Sequence, residues 1–330
     1  MTGLTVTAVT EDWSLRVPFR ISRETMTHAT VVIVEVTDGV ATGRGEGCPV
    51  PHYGESVEGV LDQIRVMAAA LAAGEDWDAV HERTPAGSAR NAVDCAVWDW
   101  RAKRAGRPVS DLLGMAALRP VETVFTLGLD EPEVMALNAK KASAHDILKL
   151  KIGGDVAADM ARLRAVRDAV PDKRLIADVN EGWSLADLDA AMPLVADCGL
   201  LMLEQPLPAG KDDGLRGADY PVPIGADESC HTTADLDRVA ERYGVINIKL
   251  DKTGGLTEAM RLVRGGQERG LGIMIGCMLG TSLAMAPGVI VAQFARFVDL
   301  DAPLLIGADR DPALTYDNGI IRPPSPGLWG

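Results

Sequence analysis

The sequence predicts an α/β protein built on a parallel (β/α) barrel and preceded by a mixed α+β region. Three observations carry this. Eight short apolar runs recur about every 25 residues from Val121 onward, the rhythm of strand, loop, helix and return. They are nearly continuous in Ile, Val and Leu rather than alternating, as strands covered on both faces must be. The first third lacks this rhythm and carries hairpin chemistry instead. A doubly wound sheet is the rival, but eight evenly spaced units favour closure into a barrel.

Taking the elements in order, Val31 to Val36 is a β-branched run, Asp38-Gly39 supplies turn residues, and a return strand leads into Gly43-Arg-Gly-Glu-Gly47. An antiparallel hairpin is expected there. Ser88 to Arg104 spaces Ala89, Ala92, Val93, Ala96, Val97 and Trp100 along one helical face, and Gly106-Arg-Pro108 stops the helix. The barrel runs are Val121 to Leu127, Ile147 to Lys151, Leu175 to Val179, Leu200 to Glu204, Val222 to Asp227, Val245 to Leu250, Gly272 to Cys277 and Phe297 to Leu300. Past Asp301, Pro303, Pro312, Pro323, Pro324 and Pro326 predict loop and turn, expected to return to the first region.

Composition narrows the function. With 47% apolar residues over 330, the chain buries a full core, and its length fits roughly two domains of about 150 residues. The excess of 47 Asp+Glu over 33 Lys+Arg gives a net charge of -14, which disfavours nucleic acid and anionic membranes as partners and points to a small molecule. No run reaches the roughly 20 apolar residues of a membrane span. Met1 to Trp13 has no signal-peptide core, so a cytoplasmic location is expected. Five scattered cysteines without a CxxC pair indicate neither a disulfide framework nor a thiolate zinc site.

In a barrel the chemistry lies at the C-terminal strand ends. Lys149 and Lys151 close the second run with both ammonium groups on one side. Two solvated lysines are the plain alternative. Inside a barrel, their mutual repulsion is expected to draw a lysine from about 10.4 toward the roughly 7 to 8 of a general base. Asp178, Glu204 and Asp227 then end three successive runs. Three converging carboxylates require a cation, and a hard all-oxygen set selects Mg²⁺, with Mn²⁺ as a substitute. Lys249 ends the sixth run, across the mouth from the lysine pair, so a base flanks each face of a bound molecule; a bridge from Lys249 to Asp227 or Glu228 is the structural alternative. Asp299-Leu-Asp301 puts two carboxylates at the eighth strand end, where a substrate ammonium would satisfy both. Cys277-Met278 ends the seventh run and is expected to line the pocket floor.

The ordered set Lys149-x-Lys151, Asp178-x-Asn180, Glu204-Gln-Pro206, Asp227-Glu228 and Lys249 resembles the enolase superfamily, specifically its muconate-lactonizing-enzyme subgroup, over essentially the whole chain. The resemblance implies a modified (β/α)7β TIM barrel at residues 121–302, an α+β capping domain at 1–120, and a tail at 303–330 that rejoins the cap. This superfamily is a known case of a lysine or histidine base working beside Mg²⁺ that stabilises an ene-diolate. By that resemblance Asp178, Glu204 and Asp227 hold Mg²⁺, Lys149 adds positive charge, Lys151 and Lys249 exchange roles as base and acid, and Asn180 and Glu228 support them.

An Asp-x-Asp at Asp299/Asp301 resembles the dipeptide epimerases, where the pair holds a free α-amino group. The expected reaction is Mg²⁺-dependent inversion of the α-carbon of a dipeptide's C-terminal residue, by two-base 1,1-proton transfer through an enolate. An N-acylamino acid racemase or a muconate-type cycloisomerase is the alternative, and a non-catalytic metal-stabilised barrel a third. Arg23 is placed on one capping loop, where it can pair with a carboxylate of the second residue; His52 and Tyr53 are placed on the other. Glu24, where the family often carries Gly, and Leu279-Gly280-Thr281, in place of a Glu-Ser pattern, depart from the subgroup. Relatives commonly assemble, so a homo-oligomer is expected.

Overall fold

The computed structural model describes residues 3–330. Its first part is a three-stranded antiparallel sheet of β1 (Thr5–Arg20), β2 (Thr25–Thr37) and β3 (Thr42–Gly47). Asp38 makes the turn into β3, its Oδ1 accepting the Val40 and Ala41 amides at 2.9 Å each. β2 is apolar on both faces because it is covered on both. Val32, Val34 and Val36 pack on the helix Ser88–Ala105, while Val31 and Ile33 face the main core. Each such valine contributes about 1.5–2 kcal/mol of burial. The glycines of β3 let that helix lie directly on the sheet: a Cβ on Gly45 would sit 2.1 Å from the Ala92 carbonyl oxygen, and one on Gly43 2.1 Å from that of Ala96.

The remaining chain forms the barrel. A short strand β4 (Val121–Glu122) precedes eight parallel strands: β5 (Phe125–Leu127), β6 (Ile147–Lys151), β7 (Arg174–Asp178), β8 (Leu200–Glu204), β9 (Ile224–Ala226), β10 (Val245–Lys249), β11 (Gly272–Gly276) and β12 (Phe297–Val298), paired in that order. The ring closes where Val124 N donates to Val298 O at 2.8 Å and Leu300 N donates to Thr123 Oγ1 at 3.1 Å. Leu148, Leu150, Leu175, Ala177, Leu203 and Ile248 are buried, as strands walled by helices on the outside must be.

The predicted first barrel strand, Val121 to Leu127, is divided. Val121–Glu122 pairs instead with β14 (Ile320–Ile321), which follows β13 (Tyr316–Asp317) in the tail. The tail is therefore not wholly loop. Asn318 and Gly319, at φ 50° and 78°, make the left-handed turn of a small hairpin. The tail does return to the cap: Trp329 Nε1 donates to Cys95 O at 3.0 Å and Gly330 N to Asp99 Oδ1 at 2.7 Å. The long β1 and the helix Val57–Ala72, capped by Ser56 Oγ accepting Gly59 N, were not anticipated.

Candidate active site

Strand register sets the site. Lys151, Asp178 and Glu204 are direct neighbours across β6, β7 and β8, so their side chains leave the sheet at one height. Asp227 follows the end of β9. Lys249 ends β10, four strands from β6 in a ring of eight and therefore on the opposite wall. Asp178, Glu204 and Asp227 are each fully shielded from solvent, and each offers an oxygen within 4.8 Å of the others.

Three lysines neutralise this trio. Lys149 Nζ lies 2.7 Å from Asp299 Oδ2, 2.8 Å from Glu204 Oε2 and 3.3 Å from Asp178 Oδ2. Lys151 Nζ donates to Asp178 Oδ2 at 2.5 Å and to Asn180 Oδ1 at 3.2 Å, and Lys249 Nζ donates to Asp227 Oδ2 at 2.7 Å. At Lys149 the expected depression by mutual repulsion is corrected. Burial alone would lower Lys149, but Asp299, Glu204 and Asp178 hold it well above the usual lysine value. Burial is likewise outweighed at Lys249, which Asp227 holds high. Carboxylates on neighbouring strands decide these charges, not the spacing within one strand.

The trio itself is strongly polarised. Burial and the nearby Asp178 push Glu204 up to about 7, whereas at Asp178 burial is overcome by Lys151 and Lys149, which bring it to about 2. Glu204 Oε2 and Asp227 Oδ1 accept no aligned hydrogen bond although both are buried. Such oxygens are costly unless something else takes their lone pairs. Three buried carboxylates with an oxygen each within 4.8 Å of the others make a hard all-oxygen set that fits a divalent cation of the Mg²⁺ type.

The backbone around the trio is strained. Asn180, Glu181 and Gln205, immediately beyond β7 and β8, have φ of 47°, 67° and 33°. Each costs about 1–2 kcal/mol for a residue with a Cβ, and such strain gathers at functional sites. Gln205 compensates by clamping the next loop: its Oε1 accepts Asp227 N at 2.8 Å and its Nε2 donates to Ser229 Oγ at 2.9 Å.

Above the trio is a cavity of about 400 Å³ between cap and barrel. It gathers every other sequence-predicted residue: Lys149, Lys151, Asn180, Glu228, Lys249, Cys277, Met278, Asp299, Asp301, Arg23, His52 and Tyr53 all line it. Asp299 and Asp301 lie beyond the short β12, and Asp301 Oδ2 accepts Thr126 N at 2.6 Å. Burial, then the charge of Asp299, pushes Asp301 up to about 7. Lys149 occupies Asp299, so Asp301 is the carboxyl more open to a new cation. Arg23 donates to Glu228 Oε1 at 2.8 Å and to Glu181 Oε2 at 3.0 Å. His52 Nε2 meets the same Glu181 Oε2 at 2.9 Å, so one barrel residue ties down both capping loops. The Tyr53 ring packs edge-on against His231 at 4.6 Å.

Sequence reasoning missed Glu181, Gln205, Thr126 and Asn247, whose Nδ2 donates to Glu204 Oε1 at 2.7 Å. It also missed Lys252, buried behind Asp227. Lys249-x-x-Lys252 before Gly254-Gly255 was the one linear signal for the last of these.

Comparison with known proteins agrees with this geometry. Residues 3–114 match the mandelate racemase / muconate lactonizing enzyme N-terminal domain, and residues 134–328 match the enolase C-terminal domain-like family. The L-Ala-D/L-Glu epimerase of Escherichia coli is 41% identical, covering 96% of this chain and 99% of its own. The N-acetyl-D-glutamate racemase of a Pseudoalteromonas species is 39% identical, covering 91% and 95%. Among solved structures, an enolase family member from Agrobacterium tumefaciens with homology to dipeptide epimerases, bound to sodium and L-Ala-L-Glu, superposes with a TM-score of 0.96 at 47% identity, covering 99% and 100%. The dipeptide epimerase of Enterococcus faecalis, complexed with Mg and L-Leu-L-Tyr, superposes at 0.91 with 30% identity, covering 98% of each chain. With both halves matched and the capping sheet and barrel shared, the chain belongs to the mandelate racemase / muconate lactonizing enzyme family of the enolase superfamily.

Proposed function

We propose that the protein is a Mg²⁺-dependent dipeptide epimerase that inverts the α-carbon of the C-terminal residue. The observation that carries this is the placement of Lys151 and Lys249 on opposite walls of a cavity whose far side holds Asp299 and Asp301. The names of the relatives, two of which are dipeptide epimerases of known structure or sequence, support it.

The roles follow from chemistry. Removing a proton α to a carboxylate puts a second negative charge on that group, which is the barrier to overcome. Mg²⁺ held by Asp178, Glu204 and Asp227 supplies the compensating charge, with Mn²⁺ as a substitute. Lys149, already beside two of these carboxylates, adds a fixed positive charge at the cavity floor. Lys151 takes the α-proton from one face and Lys249 returns one to the other, or the reverse for the opposite enantiomer. Asp301, with Asp299, receives the substrate's α-ammonium. Arg23, held at the cavity wall by its contacts with Glu181 and Glu228, is positioned to meet a side-chain carboxylate on the second residue. Asn180 and Glu228 orient Lys151 and Arg23. Cys277, Met278, His52 and Tyr53 shape the walls. Among the described residues no helix is long and apolar enough to cross a membrane, which is compatible with work in the cytoplasm on a small substrate.

Racemisation of an N-acylamino acid is the second reading, favoured by the N-acetyl-D-glutamate racemase relative. Incubation with Mg²⁺ in D₂O and parallel libraries of L,L-dipeptides and N-acylamino acids separates the two. Deuterium at the α-carbon of a dipeptide's C-terminal residue is expected. Exchange confined to N-acylated substrates would select the second reading, and exchange in neither would reject both.

A further inference from the structure

Lys252 lies outside the cavity, on the helical turn Leu250–Thr253 that follows β10, and its side chain is fully enclosed. Its ammonium group is over-supplied with acceptors. Nζ donates to the carbonyls of Asp227, Cys230 (2.9 Å) and Asn247 (3.0 Å), which uses all three N–H bonds. A fourth oxygen, Asp227 Oδ1, is 2.7 Å away but accepts no aligned hydrogen bond. The contact is a buried ion pair that sets the ammonium against the carboxylate as well as the carbonyl of Asp227. The lysine thus grips Asp227 at its main chain and faces its carboxylate from behind, on the side away from Lys249.

The turn that carries Lys252 is itself immobilised by the cap. Arg90, on the helix Ser88–Ala105, donates to Thr253 O at 2.7 Å and to Gly254 O at 3.1 Å, and Asp251 Oδ1 accepts Cys48 N at 3.0 Å and Asn91 Nδ2 at 2.8 Å. A rigid cation behind a carboxylate has two opposite consequences. Its charge repels a metal ion on that carboxylate, while its hydrogen bonds fix the carboxylate where an ion needs it.

We propose that Lys252 is a positioning residue that braces Asp227 as a metal ligand, its hold on the Asp227 loop outweighing the repulsion it exerts on the ion. This rests on the metal site of the function proposed above but not on the identity of the substrate. Lys249 provides the contrast, because it touches the same carboxylate at Oδ2 and holds none of those carbonyls.

The test is Mn²⁺ binding, read from the free-ion electron paramagnetic resonance signal, in the wild type, Lys252→Met and Lys249→Met, with thermal melting alongside. Charge alone makes both substitutions tighten binding. Bracing makes Lys252→Met bind at least tenfold more weakly, while Lys249→Met binds as tightly as the wild type or more so. Wild-type or tighter binding in folded Lys252→Met overturns the brace and leaves the metal site standing. Failure of the wild type to bind Mn²⁺ overturns both. If Lys252→Met does not fold, a crystal structure of the wild type with Mg²⁺ decides. Nζ should remain on the Asp227 carbonyl with the Asp227 carboxylate on the ion, and a lysine withdrawn from Asp227 in that structure overturns the proposal. A negative dipeptide screen changes none of these outcomes, since no substrate enters them.

Discussion

Replacing Asp301 by asparagine tests how the cavity recognises a substrate amine. The side chain keeps its shape and its acceptor for Thr126 N, at 2.6 Å, but the second carboxylate oxygen becomes an NH2 group, which carries no charge and cannot accept from an ammonium. A buried hydrogen bond to a charged group is worth about 1.5–3 kcal/mol, so losing one such bond to the ammonium costs about 2 kcal/mol. At 1.4 kcal/mol per tenfold change, kcat/KM for a dipeptide should fall about 30-fold. An N-acetylated amino acid, which has no ammonium, should change by less than about threefold on the same scale. The pH profile should change too. Burial and Asp299 push Asp301 up to about 7, so in the wild type the carboxylate is lost as pH falls through about 7, and dipeptide kcat/KM falls with it. At saturating Mg²⁺, which holds the Glu204 carboxylate ionised, Asp301→Asn should lack that acid limb. Equal losses for both substrate classes, or an unchanged limb near 7, would refute the assignment of Asp301 to the amine.

Other expectations follow from the same structure. Burial, then Glu55 and Glu46, push Asp251 up to about 7, above its unfolded value, so the native state holds the proton and the wild type loses stability as pH rises between about 4 and 7. Asp251→Asn should therefore gain unfolding free energy relative to the wild type between pH 5 and pH 8, by on the order of a few kcal/mol in denaturant titrations, and a constant difference would argue against it. Glu181→Ala removes the shared partner of Arg23 and His52, and KM should rise about tenfold with kcat within about threefold, as expected when about 1–2 kcal/mol of loop closure is lost. Chelation should abolish α-proton exchange and leave the fold intact, because Lys149, Lys151 and Lys249 neutralise the trio; Mg²⁺ at about 100 times its Kd should then add about 2.7 kcal/mol to stability in a denaturation titration.

The strand-end residues were readable from sequence for a physical reason. Buried strands hold few polar residues, so Lys151, Asp178, Glu204 and Lys249 stand out where each apolar run stops, and the parallel register brings the first three to one level. Residues beyond the strand ends gave less signal. Glu181 reads as an ordinary loop acid, and only the left-handed turn at Asn180–Glu181 aims it at both capping loops. Lys252 reads as exposed because its burial depends on carbonyls of Asp227 and Cys230 in the loop after β9 and of Asn247 in β10. The charge state of Lys149 escapes the sequence for a similar reason, since its partners lie 29 or more positions away in sequence and a strand apart or more in space. The division of Val121–Leu127 reflects competition from Ile320–Ile321, a strand that the surrounding prolines concealed.

The opposed lysines are tested most directly by α-proton exchange in D₂O with Lys151→Ala and Lys249→Ala, each given the L,L and the L,D form of one active dipeptide. Two bases on opposite walls require that each variant retain exchange with one form and lose it with the other, and that the two variants lose opposite forms. Loss of both forms in either variant, or the same preference in both, would contradict a two-sided proton transfer.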